Sequence, residues 1–458
     1  MTSRNRLPFV PLLCYSAGNI APTAIHGFVG AFLLKFYTDH VDLDPAWVGW
    51  ALLVRSIVDA AIDPAIGYWS DRSTSSQGRR RPFFLLGTIP AAIFLYLMMI
   101  PPPSSAVVVF VYLTLASSLM VSFLSLMAIP HLAMGFELTT DYDERTRIFG
   151  YKNLFENLAV LIATFSVPLA LNLEGMKWFA VVMTRTDCYR LAAAALAMIS
   201  VAVSAIAYYG TTERSKKNVD NNFRFFEGVN GIFKNRAFLV LIVVFVAITI
   251  ADRMITAEMF IVIERFHRLR EEQSVPLLIG FFAGGLCSVW PWVWLAGRFG
   301  KDVILRLSIL LWPLTCVAFV LRPWDLSALT VVAFCVGATG TGMMTILGAI
   351  VPDALDYERS RSKKSQEGMY VSVGNVIAQI AMGIGFLIAG QTLHLAGYRG
   401  DSVPTVETMS LLRMTFALVP CVLSVVALAA LEYFPITKQS YLELIKRYGV
   451  QPGNDTVA

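Results

Sequence analysis

Two aspartates four residues apart, Asp59 and Asp63, sit inside an otherwise apolar stretch of this chain, Ala46–Trp69. On a helix that spacing puts both carboxyls on one face, about 6 Å apart along the axis. At mid-bilayer each charge costs about 2.5–3.5 kcal/mol on insertion scales. Two chemistries relieve that cost. The pair can chelate a sodium ion through its oxygens, or one carboxyl can raise the pKa of the other until it takes up a proton near neutral pH. Either ion would couple its own gradient to a conformational change. The alternative is a static salt bridge, with Arg55 or Arg253 as partner.

Other polar residues stand in apolar surroundings. Thr23 and His26 lie three residues apart, nearly on one helix face. His26 can hydrogen-bond a solute, switch charge near a pH of about 6.5, or be satisfied by a neighbouring helix. Asn375 and Gln379 are one turn apart; they can line a cavity, or bridge helices for about 1 kcal/mol. Asp252, Arg253 and Glu258 share one apolar run. Adjacent helical residues point about 100° apart, so Asp252 and Arg253 cannot both face one partner, and one of them can reach the Asp59/Asp63 helix.

The elements that must position these groups follow from composition. Of 458 residues 56% are hydrophobic and 15% charged, and the mean hydropathy is +0.62. A soluble domain carries roughly 25% charged residues, so the bilayer must be the solvent. Runs such as Ala106–Leu124, Leu191–Tyr209 and Leu411–Leu431 are continuous. Spanning barrels alternate instead, which leaves helices of about 20 residues each. Twelve spans are expected: Phe9–Tyr37, Ala46–Trp69, Phe83–Ile100, Ala106–Gly135, Phe149–Leu171, Tyr189–Tyr209, Ala237–Ile263, Val275–Leu295, Val303–Leu321, Ala328–Val351, Gly368–Ala396 and Leu411–Phe434. They form two six-helix halves, 1–210 and 237–434, with a basic linker at 211–236 and a tail at 435–458. Met1–Leu7 runs straight into a stretch longer than a signal segment, so no cleavable signal is expected.

Basic residues collect on one side: Arg72 and Arg79–Arg81, Arg145 and Arg147, the linker, Arg298 and Lys301, Arg359–Lys364, and both termini. The positive-inside rule makes that side cytoplasmic. Two loops on the other side also carry cations, Arg185 with Arg190 and Arg265 with Arg268 and Arg270. The halves echo each other, Asp141-Tyr142-Asp143-Glu144-Arg145 against Asp356-Tyr357-Glu358-Arg359, each after a proline near the helix end, Pro130 or Pro352. Such recurrence suggests parallel repeats about an axis along the membrane normal.

The loop after the second span reads Gly67-Tyr68-Trp69-Ser70-Asp71-Arg72, then Gly78-Arg79-Arg80-Arg81-Pro82. Gly67 would let helices approach closely, and the arginines offer forked donors to Asp141, Asp143 and Glu144 in the next loop on that side. Such pairs could hold one side shut. This pattern resembles the signature loop of the major facilitator superfamily. Asp59–Gly67, Glu137–Arg145, Asp353–Tyr357 and Glu367–Tyr370 are more specifically similar to the glycoside–pentoside–hexuronide:cation symporters. The resemblance covers about Cys14 to Tyr398 and implies an all-α, twelve-helix transporter of that fold, with Asp59 and Asp63 at the cation site. In melibiose carriers an arginine would fall at Ser56, whereas here Arg55 precedes it. Their helix-four acid would fall at Ala128, which leaves Ser125 as an oxygen ligand one turn away. Their sugar-binding aspartate falls at Thr23 and a functional lysine at Gln379.

The expectation is therefore a secondary transporter that symports a sugar or glycoside with a cation or proton by alternating access. The alternatives are an amphiphilic solute such as a lysolipid, which the resemblance also covers, or an uncoupled facilitator. Asp59, Asp63 and Ser125 are the coupling candidates; Thr23, His26, Asp252, Arg253, Asn375 and Gln379 are the solute candidates. The gate would use Gly67, Asp71, Arg72, Arg79, Arg80, Arg81, Asp141, Asp143, Glu144, Arg145, Asp356 and Arg359. No enzyme motif is present: no metal-ligand cluster, Gly-x-Ser-x-Gly elbow or phosphate loop. The six cysteines show no metal spacing, so no cofactor beyond Na+ or H+ is expected. Basic residues without interleaved aromatics exclude nucleic acid. A monomer in the cell membrane, among lipids and with both termini cytoplasmic, completes the expectation. Trp290, Trp292 and Trp294 read as interfacial anchors, and Gly337, Gly340, Gly342 and Gly348 as sites of close helix packing.

Overall fold

A computed structural model describes residues 7–73, 75, 78–139, 141–178, 181–213, 235–362, 367–400 and 404–435; the side chains of 142, 143, 178, 181 and 352–372 are not described. The helices are α1 (Phe9–Gly18), α2 (Ile20–His40), α3 (Pro45–Asp71), α4 (Pro82–Met98), α5 (Ala106–Glu137), α6 (Tyr142–Leu171) and α7 (Arg185–Gly210). After the linker come α8 (Arg236–Arg265), α9 (Val275–Phe299), α10 (Lys301–Val320), α11 (Leu326–Ser362), α12 (Glu367–Leu395) and α13 (Val406–Leu431). A two-stranded hairpin pairs Lys177–Trp178 with Val181–Val182.

α1 and α2 form one span, Phe9–His40, broken only at Asn19. With it, eleven helices among the described residues are long and apolar enough to cross a membrane, and Pro82–Met98 is a shorter apolar helix. Their ends carry the expected caps. Asp44 accepts from the Ala46 N–H at 2.8 Å, with Pro45 at the first helical position, and Thr184 forms a capping box with Asp187. These side chains satisfy N–H groups that a helix start leaves without partners. Interior prolines at 64, 90, 130, 168, 291, 313 and 420 are tolerated, because neighbouring helices and hydroxyls re-satisfy the freed backbone.

The residues divide into two compact units. One comprises Met1–Asp220, Arg253–Val275 and Met382–Arg413; the other comprises Asn221–Asp252, Pro276–Ala381 and Met414–Ala458. In the first unit α4 packs on α5 and α7, α3 on α5, α2 on α6, and α1 on α7. Between helices in lipid there is no hydrophobic drive, so small residues set the closest approaches. A Cβ at Gly87 would lie 2.6 Å from the Phe123 carbonyl oxygen, and one at Gly390 of α12 would lie 2.4 Å from the Pro45 carbonyl oxygen. Gly67, expected to serve this role, has only Ile129 Cγ2 at 4.0 Å, so close approach here falls to Gly87 instead.

The second unit has its own small-residue crossings. A Cβ at Gly337 would meet the Phe281 carbonyl oxygen, and one at Gly342 the Trp292 ring. Trp292 is buried and donates Nε1–H to the Ala338 carbonyl at 2.9 Å. It holds α9 against α11 instead of anchoring at the interface, whereas Trp290 and Trp294 are exposed.

Candidate functional site

Within the first unit, α3 carries Asp59 into the interior, where it is 4% exposed. α5 crosses α3 there, and Ser125 Oγ donates to Asp59 Oδ1 at 2.7 Å. From α2, His26 Nε2 lies 3.9 Å from Asp59 Oδ2. No lysine or arginine lies within 4 Å of Asp59 among the described residues, so neither Arg55 nor Arg253 forms the alternative bridge with it. Arg55 is buried one turn earlier, and its Nε and Nη2 have no hydrogen-bond partner. Asp63 is half-buried one turn later.

The His26 ring constrains what this station can hold. Its Nδ1 lies 2.9 Å from the Pro22 carbonyl oxygen. A carbonyl only accepts, so Nδ1 carries the proton. A neutral imidazole then points its Nε2 lone pair at the Asp59 carboxylate, two electron-rich groups facing one another. A proton on Nε2, or a small cation between nitrogen and carboxylate, resolves the conflict. Sequence reading grouped Asp59, Asp63 and Ser125; the fold brings Ser125 to Asp59 and adds His26, expected among the solute residues, from another helix.

The remaining solute candidates are distributed. Thr23 is half-buried one turn before His26 on α2. Arg253, in the same unit, lies against Gly30: a Cβ there would be 3.9 Å from Arg253 Nη1 and 3.4 Å from Phe386. Asp252, Asn375 and Gln379 belong to the second unit, with Asn375 exposed and the other two half-buried.

The gate residues pair differently from expectation. Arg80 Nη2 donates to Asp71 Oδ1 at 2.7 Å, and Arg79 Nη2 donates to Glu137 Oε1 at 2.6 Å. Arg80 also lies 3.1 Å from Glu137. Arg81 donates to the Tyr208 carbonyl, and Arg72 stacks 4.0 Å over the Tyr68 ring. Asp141 and Glu144, the expected partners, are committed elsewhere. Asp141 caps α6 through the Glu144 N–H at 2.9 Å, and Glu144 accepts from the Leu7 N–H and Arg147. A carboxylate that caps its own helix is not available to a neighbouring loop. Arg145 is exposed; the side chains of Asp143, Asp356 and Arg359 lie outside the described residues. Sequence reading missed Glu213, which accepts the N–H groups of Arg79, Arg80 and Arg81 at 2.9, 2.6 and 3.0 Å.

At the opposite end of the first unit stands a cluster that no motif announced. Lys35, 2% exposed, lies 2.5 Å from Asp39, 2.5 Å from Glu264 and 3.1 Å from Glu271. Arg185 approaches Glu264 and Glu271 at 3.6 and 3.8 Å, and Arg265 approaches Asp39 at 3.8 Å. Lys35, Arg185 and Arg265 thus face Asp39, Glu264 and Glu271, and Arg185 also lies 3.9 Å from Glu174. Tyr189 donates to Glu271 at 2.8 Å and Tyr398 to Asp39 at 2.9 Å. Burial and then the Asp39 carboxylate push the Tyr398 phenol above its ordinary value, so it stays a donor. The two loops whose cations blurred the positive-inside bias supply Arg185 and Arg265.

A sequence model for the family described as MFS/sugar transport protein matches residues 14–438. The chain belongs to this family. It is 26% identical to the isoprimeverose transporter of Lactiplantibacillus pentosus over 95% of this chain and 90% of that protein. It is 22% identical to the sodium-dependent lysophosphatidylcholine symporter 1-B of Danio rerio over 95% of this chain and 89% of the relative. Among solved structures the nucleoside transporter NupG matches with a TM-score of 0.60 at 12% identity, covering 93% of this chain and 99% of that one. The last likeness establishes the major facilitator fold. This family member is a multi-pass membrane transporter.

Proposed function

We propose that this transporter symports a sugar- or glycoside-like solute with a cation, by alternating access. The observation that carries the coupling half is the Asp59 station: a buried carboxylate with a serine donor, an imidazole nitrogen, and no arginine or lysine within ion-pair distance. Such a group is costly in a membrane interior, and a mobile ion would offset its charge. The His26 tautomer leaves Nε2 open to a proton 3.9 Å from Asp59, while the donor set of carboxylate and hydroxyl oxygens also suits sodium. Asp63 would complete the site from the next turn. The solute half rests on the family's description and the isoprimeverose transporter. An amphiphilic solute is the second reading, supported by the lysophosphatidylcholine symporter.

In the cell membrane, with both termini cytoplasmic, the Arg79–Arg81 end faces inward and the Lys35 cluster outward. The cluster then acts as the outer gate. Ion and solute can shift the inward–outward equilibrium only through interactions that differ between the two states.

The test is uptake by proteoliposomes across sugars, glycosides and lysolipids, under an imposed proton or sodium gradient. Accumulation of a sugar driven by one of the two gradients supports the proposal. Transport of lysolipid alone supports the second reading, and sugar equilibration indifferent to both gradients removes coupling.

A further inference from the structure

Glu258 lies on α8, six residues before Glu264, and its side chain is fully buried. Oε1 is 2.5 Å from Thr392 Oγ1 on α12, and Oε2 has no hydrogen-bond partner. Thr392 Oγ1 also lies 2.9 Å from the carbonyl oxygens of Ile388 and Ala389. A threonine hydroxyl carries one proton. In a helix it habitually goes to the preceding turn's carbonyl, and nothing then remains to occupy the contact with Glu258 unless the carboxyl brings its own proton.

A protonated Glu258 leaves no charge without a partner. Its Oε1–H donates to Thr392 Oγ1, the threonine hydroxyl donates to the Ile388 carbonyl, and Oε2 is left as a neutral carbonyl oxygen. An ionised Glu258 would instead leave a charged oxygen without a donor in a site closed to water, which costs far more.

The charged groups on the surrounding elements lie elsewhere. On α8 itself, Arg253 lies against Gly30, and Glu264 and Arg265 belong to the Lys35 cluster. On α2, Lys35 and Asp39 pair within that cluster. On α12, His394 lies 2.7 Å from Asp44, the cap of α3. Further along α3, Asp59 lies in the coupling station and Arg55 is buried one turn before it, and Arg413 of α13 stacks over Phe266. No ion pair reaches Glu258 among the described residues.

We propose that Glu258 is a proton-binding site, separate from the Asp59 station and independent of what that station binds. While this packing of α8 on α12 persists the carboxyl is held as the acid. Ionisation requires water, so the proton leaves only when α8 and α12 part around it, and opening of this end becomes proton-linked.

Infrared spectroscopy of the purified full chain in lipid, with the proton as probe, tests this. An exposed glutamate, with a pKa of about 4.3, has no protonated C=O band at neutral pH. The wild type is expected to show such a band, and Glu258→Gln to lose it. Thr392→Val leaves the carboxyl in place but removes its acceptor, so the band should move to higher frequency. A protonated-carboxyl region unchanged between wild type and Glu258→Gln at neutral pH would mean that Glu258 is ionised, and would overturn the proposal. Should Glu258→Gln fail to fold, Thr392→Val carries the test alone: a shifted band supports the site, and an unshifted spectrum removes it.

Discussion

Lys35 Nζ on α2 lies 2.5 Å from Glu264 Oε2 on α8, a contact across 229 positions of sequence. It joins the first spanning helix of one sequence half to the first of the other, with the lysine buried at 2% and the glutamate half-buried at 21% side-chain exposure. An ion pair in such a place is weak evidence of stability but strong evidence of specificity in position, because removing one partner strands the others.

Lys35→Met should therefore be far more damaging than a surface substitution. It leaves Asp39, Glu264 and Glu271 facing one another with only the more distant Arg185 and Arg265, a loss of about 3–5 kcal/mol for a broken buried pair. The thermal melting point should fall clearly, and a cysteine placed at Phe36 should gain reactivity toward a water-soluble thiol reagent. Combining Lys35→Met with Glu264→Gln should recover part of the loss. A double variant no more stable than the single would show that the carboxylates are not what Lys35 holds.

Asp59→Asn should uncouple the transporter without dismantling it. Ser125 retains an oxygen partner, but the charge that holds a cation is gone. Gradient-driven accumulation should be abolished while solute exchange in counterflow continues. Ser125→Ala should be milder, a loss of about 1 kcal/mol of hydrogen bonding, read as a several-fold higher ion concentration for half-maximal transport. Undiminished accumulation by Asp59→Asn would end the coupling role.

Glu213 gives the sharpest contrast with expectation. It accepts three successive N–H groups at Arg79, Arg80 and Arg81, just after Gly78 turns with φ +115°. Glu213→Ala leaves all three without their acceptor in a half-buried loop and should lower the melting point by several degrees. Asp141→Ala removes one capping bond, worth about 1 kcal/mol, and should cost less. The reverse order would place the structural weight of this loop on α6.

What could be read beforehand divides along physical lines. Spans, and the placing of Asp59 in one of them, follow from local composition, because each helix satisfies its own backbone in lipid. Ser125 was reachable as the nearest oxygen to an aligned position. Lys35 was not, since apart from Asp39 one turn on, its partners Glu264 and Glu271 come from chain segments more than two hundred residues away. Glu213 was hidden for the same reason, inside a polar linker that suggested only a connector. The arginine cluster stands in the loop after α3, but its partners were assigned by proximity in sequence. Helix capping had already claimed Asp141.

The crossing of α3 and α12 should decide whether the Lys35 end can close. Gly390 has no room for a side chain: a Cβ would lie 2.4 Å from the Pro45 carbonyl oxygen and 3.0 Å from the Gly49 Cα. These are backbone atoms, so they cannot turn aside as the end of a flexible side chain would. Gly390→Leu should hold α12 away from α3, weaken the nearby His394–Asp44 contact, and bias the protein toward the state in which this end is open. Reactivity of a cysteine at Phe36 should rise while the helical content by circular dichroism stays constant. Gly374→Leu, with no atom within 4 Å of its Cβ position, serves as the matched control on the same helix. Equal reactivity in the two variants would mean that this crossing does not set the closed state.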